Sequence, residues 1–161
     1  MWDRHILNSA ALSGFIGRGS TVIDVGSGAG LPGIPVALLR PDLRVTLLEP
    51  LLRRFTFLTE TVAELALEQR VFVVRGRAEE HTVQYDVVMA RAVAPLGRLI
   101  TWCNPLRRAG GALLALKGES APDEVHESAD VLRRLRVRAE VTQAGTTPGV
   151  APAVIVRVTD A

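Results

Sequence analysis

The sequence has little cysteine and histidine, and it has no apolar run of membrane-spanning length. Its single cysteine, Cys103, excludes an internal disulfide framework and fits a reducing compartment. No run of roughly 18 apolar residues occurs, so no membrane span is predicted, and the first residues lack an apolar core of signal-peptide length. His81 and His126 have no metal-ligand spacing with cysteine or carboxylates, so no metal site is predicted. We therefore expect a soluble, cytoplasmic protein.

Lysine is almost absent as well. Lys117 is the only lysine among 19 basic residues, and the formal net charge is only +2, so the chain is not a polycation. Codon bias explains the excess of arginine as readily as function does. Because guanidinium groups bind phosphates and stack on bases, the composition permits a nucleic-acid partner without demanding one.

The length and the apolar content predict one domain, residues 1–161, with a packed core. The chain has 161 residues, of which 48% are hydrophobic. Apolar, strand-like runs alternate with helical patterns, which is typical of parallel strands joined by crossover helices. Five such runs are Thr21–Val25, Arg44–Glu49, Val71–Arg75, Tyr85–Ala90 and Gly111–Lys117.

The end of the chain follows a different pattern. Arg136–Ala144 and Ala151–Val158 both have strand character, and the segment 145–149 between them is too short for a crossover helix. These runs therefore predict an antiparallel hairpin. The predicted fold class is α/β, a mostly parallel seven-stranded sheet ending in an antiparallel hairpin, as in the Rossmann-like class I S-adenosylmethionine-dependent methyltransferases.

The helical patterns are clearest in three places. The spacing of apolar residues predicts a helix face from Leu51, Phe55, Leu58, Val62 and Leu65, and a later one from Val125, Ala129 and Leu132. The stretch Leu96–Leu106 is also helical in pattern, and we expect its Trp102 and Cys103 to lie in the core or on the helix surface. A cysteine-adduct mechanism is disfavoured, because Cys103 does not lie in a strand-end loop.

A glycine-rich loop follows the first predicted strand and feeds a helix that begins near Pro32 and Pro35. Glycine permits positive φ and close approach of a ligand to the backbone. In the frame set by the strand, the candidate cofactor-binding residues are Asp24, Gly26, Ser27, Gly28 and Gly30. An acid just before the loop resembles the first motif of S-adenosylmethionine enzymes, where it helps to orient the loop and the methionine end.

An alternative frame, Gly28–Gly33, fits the G-x-G-x-x-G fingerprint of dinucleotide-binding proteins and suggests an NAD-dependent oxidoreductase. This match starts two residues late relative to the strand, and a dehydrogenase of that class ends its sheet with another parallel strand. We therefore disfavour the oxidoreductase hypothesis.

Polar residues follow four successive predicted strands. Glu49 ends the second strand, where an acid can accept hydrogen bonds from both ribose hydroxyls of an adenosine. Arg77-Ala78-Glu79, Arg91 and Lys117 follow the third, fourth and fifth strands. Because the carboxyl ends of parallel strands share one edge of the sheet, these groups are predicted to border one ligand crevice. The fourth strand lacks an Asn/Asp-Pro-Pro-Tyr turn, which disfavours methylation of exocyclic amino groups.

A set of motifs in fixed order resembles a known family. The set comprises Trp2-x-x-His5-Ile-Leu-Asn-Ser9, the segment Asp24–Pro35, Arg77-Ala-Glu-Glu80, Arg91-Ala92 and Ala115-Leu-Lys-Gly118. Together they look like the glucose-inhibited division protein B family, whose members make N7-methylguanosine in bacterial small-subunit ribosomal RNA. The resemblance covers essentially the whole chain. Members of that family usually begin with several helices before the Trp-x-x-His segment, so we expect a form extended upstream to be more stable than this one.

The resemblance implies roles for individual residues. Gly26 and Leu31 are expected to line the S-adenosyl-L-methionine site, Ala78-Glu79 to lie beside the adenine, and Arg91 to close the site. Arg77 and Lys117 are expected on the RNA side, and with Arg91 they are the candidate catalytic residues. Arg91 and Lys117 are both expected to project over the crevice rather than into the core.

The resemblance also implies the acceptor, a loop guanine of small-subunit ribosomal RNA, and we expect the protein to act as a monomer. Guanine N7 needs no deprotonation, which agrees with the absence of an obvious catalytic base. Arginines suited to hold flanking phosphates are Arg53, Arg54, Arg77, Arg107 and Arg108. Two alternatives remain: a small-molecule methyltransferase and a truncated, inactive RNA-binding remnant.

Overall fold

The computed structural model describes residues 2–91, 94–145 and 147–161, with the side chains of residues 2 and 3 excluded. The strands are β1 Thr21–Val25, β2 Arg44–Glu49, β3 Val71–Arg75, β4 Tyr85–Arg91, β5 Arg107–Lys117, β6 Val137–Ala144 and β7 Ala153–Asp160. The helices are α1 Trp2–Ala11, α2 Gly33–Leu39, α3 Leu52–Glu64, α4 Leu96–Cys103, α5 Ala121–Glu127 and α6 Ala129–Leu135. Short 3-10 turns occupy Leu12–Phe15, Ala78–Glu80 and Asn104–Leu106.

All seven strands form one sheet with the order β3-β2-β1-β4-β5-β7-β6. The first five strands are parallel, whereas β7 pairs antiparallel with both β5 and β6. The order reverses between β1 and β4, because β2 and β3 lie on one side of β1 and the later strands on the other. Such a switch point opens a crevice at the carboxyl ends of the strands. The predicted α/β fold with a closing antiparallel hairpin is confirmed.

The sheet is covered on both faces, which explains why its central strands β1, β2 and β4 are buried along nearly their whole length. Successive residues of β1 alternate between the faces: Val22 packs with the core around α2 and α3, and Ile23 with the core around α4. In β4 the same alternation places Met89 in the first core and Val88 in the second. Within the described ranges, no helix is long and apolar enough to cross a bilayer.

Two details differ from the sequence-based expectation. The pattern through Val125, Ala129 and Leu132 predicts one helix, but the structure has α5 and α6 separated at Ser128, whose hydroxyl donates to Glu124 O at 2.6 Å. This local side-chain bond competes with continuation of the helix. The hairpin strands also begin later than predicted, at Val137 and Ala153.

Candidate functional site

A cleft of about 360 Å³ opens at the carboxyl ends of β1, β2 and β3. Its lining residues are Val25, Gly26, Leu48, Pro50, Leu51, Gly76, Arg77, Ala78, Glu79, Leu99 and Trp102. Most of these side chains are apolar and come from several separate elements, as expected of a small-molecule site at a topological switch point. The cleft brings together Gly26, Arg77, Ala78 and Glu79 from the sequence-predicted set.

The glycine loop after β1 takes a backbone path that glycine alone follows without strain. Gly26, Gly28 and Gly30 have φ values of +69°, +58° and +91°. The N–H groups of Gly26 and Ser27 both donate to Leu48 O, at 2.9 and 3.1 Å, which ties the loop to the end of β2. The frame set by the strand contains all three of these glycines, whereas the alternative frame contains only Gly28 and Gly30. Gly33, the last glycine of the alternative frame, is buried instead against Asp24 and Leu47 at the start of α2.

Asp24 is completely buried beneath this loop. Its Oδ2 accepts the N–H of Gly33 at 2.9 Å, so the acid holds the start of α2 rather than facing open solvent. Its Oδ1 has no hydrogen-bond partner within the part of the chain that is described. Burial raises the pKa of Asp24 to about 7, although the Gly33 and Ser27 hydrogen bonds and the charge of Arg91 act to lower it.

Glu49 is also buried, and it connects the glycine loop to the segment after β2. Its Oε2 accepts the N–H of Gly28 at 2.9 Å, and its Oε1 accepts the N–H of Leu51 at 3.2 Å. Both carboxylate oxygens are therefore engaged with the backbone, while each retains a further lone pair. The assignment of Glu49 as a ribose acceptor stays a prediction, and the structure adds a second role in holding the loop.

Replacing Glu49 should therefore weaken nucleoside binding in two ways at once. Glu49→Ala removes an acceptor for buried ribose hydroxyls and releases the N–H of Gly28, and we expect an affinity loss of about 1–3 kcal/mol for S-adenosylhomocysteine. Calorimetry measures this loss directly. Glu60→Ala is the control, because Glu60 is an exposed acid on α3. Unchanged affinity in Glu49→Ala would exclude Glu49 from the site.

Two residues of α4 that the sequence analysis did not assign to the site lie in the cleft. Leu99 and Trp102 line it opposite Ala78 and Glu79. Trp102 was expected only in the core or on the helix surface. A signal was present in its spacing of three residues from Leu99, which places both on one helix face, but nothing in the sequence showed that this face meets the third strand's loop.

A second cavity, of about 490 Å³, adjoins the ends of β4 and β5. Its lining residues are Arg4, His5, Asn8, Ser9, Arg91, Leu116, Lys117, Gly118, Ala153 and Val154. It brings Arg91 and Lys117 together, as predicted, and adds α1 residues from the Trp-x-x-His segment, which the sequence analysis had not placed at the site. The structure describes Arg91 of the Arg91-Ala92 motif, whereas Ala92 lies outside the described residues.

Lys117 does not project freely over the crevice, and that expectation is wrong. Its side chain is only 3% exposed, and Nζ donates to Glu124 Oε2 and to Ala94 O, both at 2.8 Å. Burial acts to raise the pKa of Glu124, but hydrogen bonds from Lys117 and from the N–H of Leu96 outweigh it and lower the pKa. Arg91, in contrast, is exposed as predicted.

Among the arginines predicted to hold phosphates, the structure separates two groups. Arg53 and Arg54 are exposed and line a hollow of about 390 Å³ beside Gly28. Arg107 and Arg108 lie at the amino end of β5, the opposite edge of the sheet from the cleft, so their assignment is wrong. Arg107 is buried and bonded to Asp160 at 2.7 Å, and Arg108 pairs with Asp86 at 3.1 Å.

Leu31, His81 and Cys103 are not among the residues that line either cavity, and the role of Leu31 at the cofactor stays a prediction. Leu31 is half-buried and is not among the residues that line the cleft. His81 is bonded through Nε2 to the Tyr85 hydroxyl at 2.9 Å. Cys103 is fully buried, and burial raises the pKa of its thiol to about 12, which makes it a core residue rather than a nucleophile. Within the described ranges, no group of three or more histidine, cysteine or acidic side chains is placed to hold a metal.

Known proteins match this chain over most of its length. A sequence profile of the family described as rRNA small subunit methyltransferase G matches residues 1–148. The ribosomal RNA small subunit methyltransferase G of Kineococcus radiotolerans is 52% identical over 159 residues, which cover 96% of this chain and 63% of that protein. The protein of the same name from Salinispora tropica is 58% identical over 143 residues, which cover 84% of this chain and 59% of that protein. The chain thus spans about three fifths of the length of these curated relatives.

Solved structures share the fold at low sequence identity. The O-methyltransferase NcsB1 from neocarzinostatin biosynthesis, in complex with S-adenosyl-L-homocysteine and 1,4-dihydroxy-2-naphthoic acid, matches with a TM-score of 0.76 and 15% identity. The match covers 96% of this chain and 54% of that one. The predicted class I methyltransferase fold is confirmed.

Proposed function

The chain belongs to the rRNA small subunit methyltransferase G family, and on that basis we propose that it transfers a methyl group from S-adenosyl-L-methionine to N7 of a loop guanine in bacterial 16S ribosomal RNA, as a cytoplasmic monomer. The observation that carries the proposal is the pair of neighbouring cavities at one edge of the sheet. One is apolar and adjoins the glycine loop, and the other is lined by Arg4, Arg91 and Lys117.

The first cavity fits an adenosine-containing cofactor. Val25, Leu48, Leu99 and Trp102 offer apolar walls for a flat base, and Gly26 leaves the backbone open to close approach. Beneath the loop, the buried and unpartnered Oδ1 of Asp24 is an acceptor that favours a cationic group. Asp24, Gly26, Ser27, Gly28, Gly30, Glu49, Ala78, Glu79 and Arg91 would hold S-adenosyl-L-methionine.

Methyl transfer to N7 mainly requires that the acceptor nitrogen be aligned with the methyl group. The bound cofactor supplies a methyl group on a sulfonium, which is already electrophilic. Guanine N7 carries a lone pair and no proton, so the protein has no proton to remove. Its residues need to fix the acceptor in line with the methyl group, and alignment of this kind accounts for roughly 7–11 kcal/mol of a barrier. A guanine in a loop is the expected target, because its edge is accessible.

The second cavity would recognise the acceptor. Product formation places positive charge on the guanine ring, so a cation in direct contact with N7 is unfavourable. Arg91 is exposed there and is suited to the guanine O6 or a flanking phosphate, which are common arginine contacts. Lys117 shares its ammonium with Glu124 and Ala94, so Arg91 is the more available donor.

The direct test is methyl transfer to unmodified 16S ribosomal RNA, with the product nucleoside identified by mass spectrometry. N7-methylguanosine in that RNA supports the proposal. Transfer to small hydroxylated acceptors instead would identify a small-molecule methyltransferase. Normal S-adenosylhomocysteine binding without transfer to any RNA would identify an inactive remnant.

Arg91→Ala should impair both the reaction with RNA and the binding of the cofactor. Arg91 lines the acceptor cavity, and its charge acts on Asp24 beneath the cofactor loop. We expect a fall in kcat/KM for RNA of about tenfold to a hundredfold, with a smaller loss of S-adenosylhomocysteine affinity. Arg134→Ala is the control, because Arg134 is exposed on α6 and is not among the residues that line either cavity. Equal effects in the two variants would exclude a specific role for Arg91.

A further inference from the structure

The carboxylate of Glu124 joins three separate elements at the edge of the acceptor cavity. Its Oε2 accepts the N–H of Leu96 at 2.9 Å and the ammonium of Lys117 at 2.8 Å, and its Oε1 accepts the Ser120 hydroxyl at 3.1 Å. Lys117 in turn donates to Ala94 O at 2.8 Å. One side chain of α5 thus fixes the end of β5, the residue after the 92–93 segment, and the amino end of α4.

These contacts differ from a surface ion pair, because the Glu124 carboxylate satisfies a helix N-terminus and also compensates a buried charge. The first N–H groups of a helix have no intrahelical partner, and a carboxylate placed on them satisfies one of them and complements the helix dipole. The Lys117 side chain is almost fully buried, so its ammonium depends on Glu124 for charge compensation. Without that carboxylate, the ammonium gains by moving toward the cavity that it lines, and Ala94 loses its donor.

We propose that Glu124 is a positioning residue for methyl transfer, which holds Lys117 and the Ala94–Leu96 segment so that Arg91 and Lys117 keep their places in the acceptor cavity. The part of this proposal that concerns catalysis rests on the proposed function, methyl transfer to 16S ribosomal RNA. Glu124 itself does not line either cavity. It acts through the Ala94–Leu96 segment and through Lys117.

The body of α4 does not depend on this contact. Leu96, Leu99, Ile100 and Cys103 are buried and anchor the helix in the core. Loss of the Glu124 carboxylate therefore frees the residues before the helix while leaving Leu99 and Trp102 in the cofactor cleft. We therefore expect the positions of Arg91 and Lys117 in the acceptor cavity to be disturbed, and the lining of the cofactor cleft to stay unchanged.

The test compares Glu124→Gln with Glu127→Gln, the same chemical change on the same helix at an exposed position. In Glu124→Gln we expect kcat for 16S ribosomal RNA methylation to fall by about tenfold or more, while S-adenosylhomocysteine affinity stays within about threefold. Glu127→Gln should match the parent chain in both. An unchanged kcat, or a parallel loss of cofactor affinity and fold, would overturn the positioning role.

A second measurement separates this proposal from the proposed function. Hydrogen exchange at the Leu96 amide should accelerate in Glu124→Ala, which has no side-chain acceptor for that N–H, but not in Glu127→Ala. The Leu99 amide, which donates to Pro95 O, should stay protected in both variants. If the parent chain methylates no RNA but exchange at the Leu96 amide still accelerates, the proposed function fails, and the structural part of this proposal, that Glu124 holds Leu96 in place, is supported. If the Leu96 amide of the Glu124 variant exchanges at the parent rate, Glu124 does not hold Leu96 in place, and the positioning role is wrong whatever the methylation activity.

Discussion

Gly28→Val should abolish measurable S-adenosylhomocysteine binding while the chain remains folded. Gly28 has a φ of +58°, a region that a β-branched residue enters at a cost of about 1–2 kcal/mol. An added Cβ meets only Gly26 O, at 3.8 Å, so the protein itself has room for it. The added side chain extends into the hollow that Gly28 lines. On the proposed assignment of Gly28 to the cofactor site, we expect an affinity loss of roughly a hundredfold or more.

Gly110→Val provides a closely matched control. Gly110 also has a positive φ, +76°, has no atom within 4 Å of an added Cβ, and donates its N–H to an acid, Asp160, at 2.8 Å. It lies on β5 at the opposite edge of the sheet. Both variants should lose similar stability in thermal unfolding monitored by circular dichroism, but only Gly28→Val should lose the ligand. Normal binding by a folded Gly28→Val variant would place the cofactor elsewhere.

The parts of the fold that sequence patterns predict well are those with a single physical cause. Apolar runs followed by polar groups predicted the first five strands and the shared edge at their carboxyl ends, because a sheet covered on both faces demands strands that are apolar along their length. The hairpin followed from the short segment between Ala144 and Ala153. The positive φ values of Gly26, Gly28 and Gly30 agree with the frame set by the first strand.

The errors come from contacts that depend on three-dimensional partners. Arg107 was predicted to hold a phosphate, but β5 begins at Arg107 rather than at the predicted Gly111 and buries that residue against Asp160. Lys117 follows an apolar strand, yet Glu124 on the next helix draws it inward. No periodicity in one sequence reveals which acid a strand-end lysine meets, or that Trp102 and Glu79 line the same cleft.

The free energy of unfolding of the ligand-free chain should fall as the pH rises from about 4 to about 7, because of Asp24. Burial raises its pKa to about 7 in the folded state, whereas an unfolded aspartate titrates near about 3.9. Between these values the folded state binds more protons, so the stabilisation is complete below about pH 4 and is lost as the pH rises through about 7. A shift of about three pH units corresponds to about 4 kcal/mol.

Urea unfolding across this range, on the parent chain and on Asp24→Asn, measures the effect. The variant cannot ionise at this position, so its stability should be nearly flat where that of the parent falls. Asp42→Asn is the control: its hydrogen bond to Arg40 holds the pKa of Asp42 well below its usual range, so its contribution is present above about pH 4 and is lost in acid. Parallel slopes for the parent and Asp24→Asn would show that Asp24 does not titrate in this window.

The same ionisation should make ligand binding depend on pH in the opposite direction. If the unpartnered Oδ1 of Asp24 serves the ammonium group of the methionine end, the bound state needs the ionised acid. S-adenosylhomocysteine affinity should then rise by about tenfold between about pH 6 and pH 8, which is the linkage expected for one proton leaving a group with a pKa of about 7. Asp24→Asn should bind more weakly and with no such slope. A pH-dependent affinity that persists in Asp24→Asn would assign the proton to another group and remove Asp24 from the methionine end of the site.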